Sequence, residues 1–450
     1  MNRFLSLLAL TLLAAGAAQA QGSYTGSLYS RFGLGERVPS ASSQAAAMGG
    51  GGTALTSLSY AQVANPATLA NQVLTRMTAG AYVQGLSMRD AAGQTSNRSE
   101  GLLGGIEFAF PLVRQRTGVG LRFAPDTRLA YGVEQPGQLI RPGSPTGDDT
   151  LRYVVRTEGS GGLQHLDAGF GTTLGKNLLV GASAGVRFGV LEEGRRTTFV
   201  NASGNRLGNY AEQNLVTTTR LAGLTATVGA LARFDSLGGS GRHLHVGATF
   251  TVPSRLRGRR TVTLGESLDR DTLRTSAEGT VKVPFGAGAG LAFYASPRWT
   301  FVADARYEPW GSFSSDFSFA GYGPPPCAPG TACPAVLVDN FHDRTRVSAG
   351  AEFLPSGNRL FAPFWQRVAY RFGAYYDNGY VTPTGASEVQ TMALTAGLSL
   401  PSLFLGSRAD VNVEVGQRGR AEGVGVQDRF VRFGLVVSLG ERWFDRRRLD

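Results

Sequence analysis

The chain has 450 residues, long enough for one large body or two to three ordinary domains. With 42% hydrophobic residues, 25 Phe and 14 Tyr, it can build a substantial core, which argues against a disordered chain. Its net charge of +11 is spread over strands and turns rather than gathered in one arm, so no nucleic-acid partner is expected.

The chain opens with Asn2-Arg3, then "FLSLLALTLLAAGAA", then Ala18-Gln19-Ala20. A charged start, a short apolar run and an A-x-A site predict a secretory signal peptide over residues 1–20. No later window holds eighteen uncharged apolar residues, so a membrane location would require a β-barrel. Residues 21–74 follow, rich in Ala, Ser and Gly, with short apolar runs and "ANPATLANQV" near their end.

From 75 to 440 the side chains alternate. Val180, Ala182, Ala184, Val186, Phe188 and Val190 interleave with Gly181, Ser183, Gly185, Arg187 and Gly189. Period-2 patterning sends alternate side chains to opposite faces of a strand. The predicted strands are 75–88, 100–112, 117–133, 150–172, 177–200, 213–234, 242–264, 273–295, 299–319, 342–354, 365–382, 387–400, 407–419 and 427–440. That makes about fourteen, with 273–295 kept whole although Pro284 interrupts it. A soluble sandwich would also alternate, but three features favour an all-β transmembrane antiparallel barrel. Several segments are far longer than ordinary strands. Short connections such as "GKNL" alternate with long ones such as "EQPGQLIRPGSPTGDD". Aromatics gather near strand ends at Trp299, Phe364, Trp365, Trp443 and Phe444.

An even strand count leaves both ends on the periplasmic side, with 441–450 as a tail. Asp167, Arg187, Asp304, Arg306, Glu308, Arg371, Asp377, Asp410, Glu414 and Arg432 then face the lumen, where their mixed signs suit cross-lumen pairing or a solvated wall. A barrel of this size has a lumen too wide for side chains alone to fill. Residues 21–74 are therefore read as an N-terminal hatch, or plug, with Met48, Leu55 and Leu58 either lining a pocket or, the simpler reading, packing it. The third strand, "TGVGLRFAPDTRLAY", contains Pro125, which has no N–H for the ladder, next to Asp126. This marks either a weak point in the wall, a β-bulge, or a proline lying above the membrane.

The polar loops at 134–149 and 201–212 read as short, and 320–341 as a structured cap whose Cys327 and Cys333 are placed to form a local disulfide. The four histidines have no metal-site company, and neither G-x-S-x-G nor H-E-x-x-H occurs in a suitable context. No enzyme activity, cofactor or metal is expected.

The order of signal peptide, Gly/Ala-rich segment, Asn65-Pro66-Ala67 and this strand series resembles the FadL/TodX family of outer-membrane transporters for hydrophobic compounds. "SLYSRFGLGE" (27–36), "AMGGGGTAL" (47–55) and "GERWFDRR" (440–447) look like the branch of that family common in Bacteroidetes and their relatives. The resemblance covers the mature chain. It implies a fourteen-stranded plugged barrel in the cell outer membrane of a Gram-negative-type bacterium, passing small hydrophobic compounds passively. The route it implies runs through an inner pocket and out sideways beside a kink in the third strand, with Asn65, Pro66 and Ala67 near that gap and Pro125 and Asp126 at it. Expected partners are the substrate, outer-membrane lipids and lipopolysaccharide, and the barrel-assembly machinery during insertion, around a monomer. A non-transporting scaffold for secretion or client proteins, and a general porin, are the alternatives.

Overall fold

The computed structural model describes residues 26–38, 42–57, 59–141, 149–235, 241–265, 271–272, 276–323, 338–357, 359, 361–402 and 406–441. The expected signal peptide, Leu58, the cysteine pair Cys327 and Cys333, and 442–450 of the tail lie outside the described residues.

A two-residue strand, β1 (Glu36–Arg37), belongs to the N-terminal segment. The wall is built from β2 (Thr75–Asp90), β3 (Thr95–Val113), β4 (Thr117–Pro125), β5 (Thr127–Arg141), β6 (Asp149–Leu174), β7 (Leu178–Val200), β8 (Gln213–Asp235), β9 (His243–Thr251) and β10 (Ser254–Leu264). It continues through β11 (Ala277–Val283), β12 (Gly286–Ser296), β13 (Trp299–Glu308), β14 (Arg344–Phe353), β15 (Ala369–Asp377), β16 (Thr391–Pro401), β17 (Arg408–Arg418) and β18 (Val426–Glu441). Neighbours run antiparallel, and β18 pairs with β2 from Thr75–Glu441 to Asp90–Val426, which closes the sheet. Closure leaves no sheet edge at that join, the condition for a sheet in hydrocarbon.

Three crossings are interrupted, at Pro125-Asp126, Val252-Pro253 and Pro284-Phe285. Each break contains a proline, which cannot donate to the ladder. Because β8 pairs with both β9 and β10, and β6 with both β4 and β5, each interrupted pair is one crossing and the barrel has fourteen. The strand predicted over 273–295 is thus one crossing broken at the proline.

The two faces separate as the alternation requires. Leu224 and Leu394, 76% and 69% exposed, stand on the outer face with Val83, Leu121, Phe170 and Phe433. On the inner face Asp410 is fully buried, together with Arg187, Arg371, Asp377 and Glu308. Some predicted bounds shift. The loop expected at 134–149 is strand through Arg141 and again from Asp149. The strand expected over 299–319 ends at Glu308, where Pro309 and a 3-10 turn at Trp310–Ser312 carry the chain inward. The strand expected over 365–382 begins at Ala369, after a short helix at Phe364–Arg367.

The wall is uneven in height. Strands β6, β7 and β8 have 26, 23 and 23 residues, whereas β13 to β17 have nine to eleven. On the short side, a trough of about 1140 Å³ opens on the outer face, bounded by Val347, Met392, Leu394, Val415 and Val431.

Inside, the N-terminal segment fills the short-turn end. A turn of helix at Ser43–Ala46 is capped by Ser42, whose hydroxyl accepts the Ala45 N–H at 3.3 Å. The chain then reverses at Gly49 and Gly50, with φ of 82° and 85°, values open to glycine without strain. Met48 and Leu55 are buried with Ala45, Ala54, Ala292 and Val302, so both pack the hatch against the wall. At the long-loop end, Leu34 of the hatch joins Trp310, Phe313, Phe341 and Tyr380 in an aromatic core. Trp310 stacks on Tyr380 with centroids 4.4 Å apart.

Candidate functional site

The third crossing is where the wall is least regular. Its lower half, β4, is laddered on both sides, to β3 from Val113–Thr117 up to Ile106–Phe123 and to β6 from Thr172 to Gln164. Above Pro125 the arrangement changes. The Asp126 N–H donates to the Leu163 carbonyl at 2.8 Å, and β5 continues along β6. Among the described residues β5 has no backbone pairing with β3. A seam therefore runs between residues 95–105 of β3 and β5.

The hatch takes the place of the missing ladder. Glu36 and Arg37 pair antiparallel with Arg128 and Thr127. The Val38 N–H donates to the Asp126 carbonyl at 3.0 Å, and Ser30 Oγ accepts the Ala130 N–H at 3.0 Å. Two arginines bridge the seam itself. Arg98 of β3 donates to the Gly26 carbonyl at 3.2 Å and to the Gly132 carbonyl of β5 at 2.9 Å. Arg128 of β5 reaches Glu100 of β3 at 2.7 Å. On the opposite flank Ser27 donates to Asp428, and the Tyr29 hydroxyl donates to the Val426 carbonyl while accepting that residue's N–H at 3.2 Å. Buried backbone groups must be satisfied, and here the 26–38 segment supplies the partners.

Charge organises the layer beneath. Asp126 lies between Arg37 at 2.6 Å and Arg187 at 2.9 Å. Glu308 takes Arg37 at 3.1 Å, Arg306 at 2.9 Å and Arg344 at 3.0 Å. Arg344 also reaches Asp377 at 2.5 Å. Lower down, Arg371 joins Glu352 at 2.6 Å and Asp410 at 3.2 Å, and the hatch's Tyr60 hydroxyl donates to Asp410 at 2.7 Å. Burial, only partly offset by Arg371, pushes the Tyr60 phenol up to about 12, so it stays a neutral donor. Glu36 pairs with Arg418. Burial pushes the Glu36 carboxyl up, but the guanidinium outweighs it and holds the group below its ordinary 4.5.

Asn65, Pro66 and Ala67 sit at the short-turn end. Asn65 caps the 3-10 turn Pro66–Asn71, its Oδ1 accepting the Ala67 N–H at 3.1 Å while its Nδ2 donates to the Thr53 carbonyl at 2.6 Å. This turn lies against Gly171, Gly181 and Gly229 of β6, β7 and β8; a Cβ at Gly181 would lie 2.4 Å from the Pro66 carbonyl carbon. The residue before the motif, Ala64, shares a cavity of about 160 Å³ with Asp126, Arg37 and Arg187. Half-buried Pro125 marks the break. The structure thus brings Asp126 against Arg37 and sets the Asn-Pro-Ala turn at the other end of the same crossing. Among the described residues no cluster of His, Cys, Asp and Glu is arranged to hold a metal.

Sequence reasoning missed the residues that close the seam: Ser30, Glu36, Arg37, Arg98, Glu100 and Arg128. The available signal was the alternation, which puts Arg98 and Glu100 on the lumen face of β3 opposite a strand already suspected of breaking.

Comparison with known proteins bears on this architecture. A Pseudomonas aeruginosa FadL homologue is similar at a TM-score of 0.55 and 11% identity, covering 90% of this chain and 99% of its own. The Ralstonia pickettii toluene transporter TbuX gives 0.55 and 16%, covering 91% and 99%. The Pseudomonas putida toluene transporter TodX gives 0.52 and 16%, also covering 91% and 99%. At these identities the likeness is one of fold, a FadL-type barrel. No curated protein matches the chain. A family model described as BamG spans residues 1–450, and on that whole-length match the chain belongs to the BamG family.

Proposed function

We propose that this protein is a plugged outer-membrane barrel that works as a membrane-embedded partner in the assembly of other outer-membrane proteins. The observation that carries the reading is the filling of the lumen. The long-loop end is packed by the Trp310, Phe313, Phe341 and Tyr380 core, and the middle is crossed by the Asp126, Glu308 and Asp377 ion pairs. The cavity beside the break is small and lined mostly by charged and polar side chains, six of them arginines, a poor environment for an apolar solute. The larger concavity, the trough, faces outward. The family name, BamG, agrees with a role in barrel assembly. The test is to isolate the protein from native membranes in mild detergent and to deplete it in cells. Stable co-isolation with assembly components, and a fall in the levels of other outer-membrane barrels on depletion, are expected. Isolation alone, with unchanged levels of other barrels, would refute the reading.

A second reading is passive transport of small hydrophobic compounds with lateral exit, and the seam beside Asp126 favours it. The similar solved structures include toluene transporters and a monoaromatic hydrocarbon channel. In that reading the seam opens when the 26–38 segment withdraws, and each CH₂ moved into an apolar environment gains about 0.8 kcal/mol. Uptake of labelled toluene or oleate into proteoliposomes separates the readings. Saturable uptake abolished by a hatch-to-wall cross-link supports transport, and uptake equal to protein-free vesicles supports the assembly role.

A further inference from the structure

The 160 Å³ cavity under the break is lined by six arginines: Arg37 from the hatch, and Arg122, Arg187, Arg306, Arg344 and Arg346 from the wall. We propose that this cavity binds a small oxyanion, a phosphate or carboxylate group, that ties the hatch to the wall. The proposal is independent of whether the barrel transports or assembles.

The first support is the balance of charge. Among the described residues the six guanidinium groups share four ion-paired carboxylates. Asp126 serves Arg37 and Arg187, Glu308 serves Arg37, Arg306 and Arg344, Asp377 serves Arg344 and Arg346, and Glu107 serves Arg122. Counting Asp167, which lines the cavity and lies 3.5 Å from His165, still leaves six cations against five anions. The next acid, Asp304, accepts the hatch's Thr53 N–H at 2.8 Å. Five of the six side chains are 9–15% exposed and Arg306 is 49% exposed, so the excess charge lies on a half-exposed group that water solvates without neutralising.

The second support is geometry. Arg306 of β13 and Arg346 of β14 are directly opposite in the ladder and both face the lumen. Like charges placed so are destabilising unless something negative lies between them. The third is the shape of the donors. Arg122 and Arg187 are each 8% exposed and meet Glu107 and Asp126 through Nε at 3.4 and 2.9 Å. Buried donors are normally satisfied, and guanidinium forks match planar or tetrahedral oxyanions better than any other common ligand. The hydroxyls of Thr225, Thr227 and Thr251 complete a polar lining. The volume admits the anionic group itself and leaves no room for a long acyl chain beside it.

The test uses the full-length protein in detergent at constant ionic strength, with chloride as baseline. Inorganic phosphate, acetate, glycerol phosphate and octanoate are titrated while hydrogen exchange of hatch residues 36–57 and the melting temperature are followed. Saturable protection of the hatch is expected from at least one oxyanion, at least tenfold weaker in Arg306→Gln and Arg122→Gln and partly kept in Arg306→Lys. Saturation by inorganic phosphate or acetate identifies a free ion. Saturation by glycerol phosphate or octanoate alone identifies the headgroup of a larger molecule. Calorimetric titration of the unaltered protein keeps the proposal testable if the variants do not fold. No binding heat with any of the four, or protection that rises without saturating and equally in the variants, would overturn it.

Discussion

Asp126 holds two guanidinium groups on one buried carboxylate, at 2.6 and 2.9 Å, and so joins the hatch to the third and fifth crossings. Replacing it with alanine would leave Arg37 and Arg187 short of counter-charge and cost about 3–5 kcal/mol, since breaking a buried pair strands its partner. The expected readout is a lower temperature for the shift in gel mobility of the heated barrel. At Gly181 the limit is space, because Pro66 lies where a Cβ would be. Gly181→Val should cost about 1–3 kcal/mol by overpacking and should increase protease cutting in the hatch. Glu36 adds a pH dependence. Its folded pKa lies below its ordinary 4.5, so its contribution is complete above that value and is lost as pH falls through the lowered one. The protection of residues 26–38, taken against the intrinsic exchange rate at each pH, should therefore fall on acidification below about pH 4.5, and less so in Glu36→Gln. At this scale the sequence was legible only where a residue type carries a backbone rule. Pro125 signalled a ladder defect by itself, whereas Arg37 and Asp126 are 89 positions apart and nothing local to either foretells the pair.

The three interrupted crossings share a proline but not an outcome. At Pro253 and Pro284 the neighbouring strands are broken at matching heights, β10 stays paired with β11, and the ladder resumes. At Pro125 the neighbour β3 is unbroken, so the two sides separate and the hatch fills the space. Removing the side-chain bridges should loosen that filling. The double variant Arg98→Ala/Arg128→Ala is expected to admit a hydrophobic fluorescent dye to the lumen faster than the unaltered barrel, with little change in strand content by circular dichroism. A dye rate unchanged within error would mean that backbone pairing of β1 alone seals the seam. The crossings themselves were readable because lipid on one face and water or hatch on the other force a strict period of two. Their upper ends were not, because beyond the hydrocarbon both faces meet water and the alternation fades. That is why β5 runs through Arg141 where a loop was expected.

For the whole molecule, the filled interior predicts electrical silence. Planar-bilayer recordings should show no steady large conductance, and deletion of residues 26–57 should produce one. The same interior was only partly foreseeable. A barrel of fourteen crossings needs a plug on dimensional grounds, but whether that plug leaves a greasy passage depends on contacts made across the lumen between distant strands. The unequal strand lengths have a further effect. At about 3.3 Å per residue, the 26 residues of β6 measure on the order of 85 Å, while the 10 of β13 measure on the order of 33 Å. The molecule is therefore a cylinder with a parapet along one flank. Bulky objects arriving from the medium meet the parapet first, whereas another integral protein sliding in the bilayer can dock flush against the low flank, where β14 to β17 border the indentation.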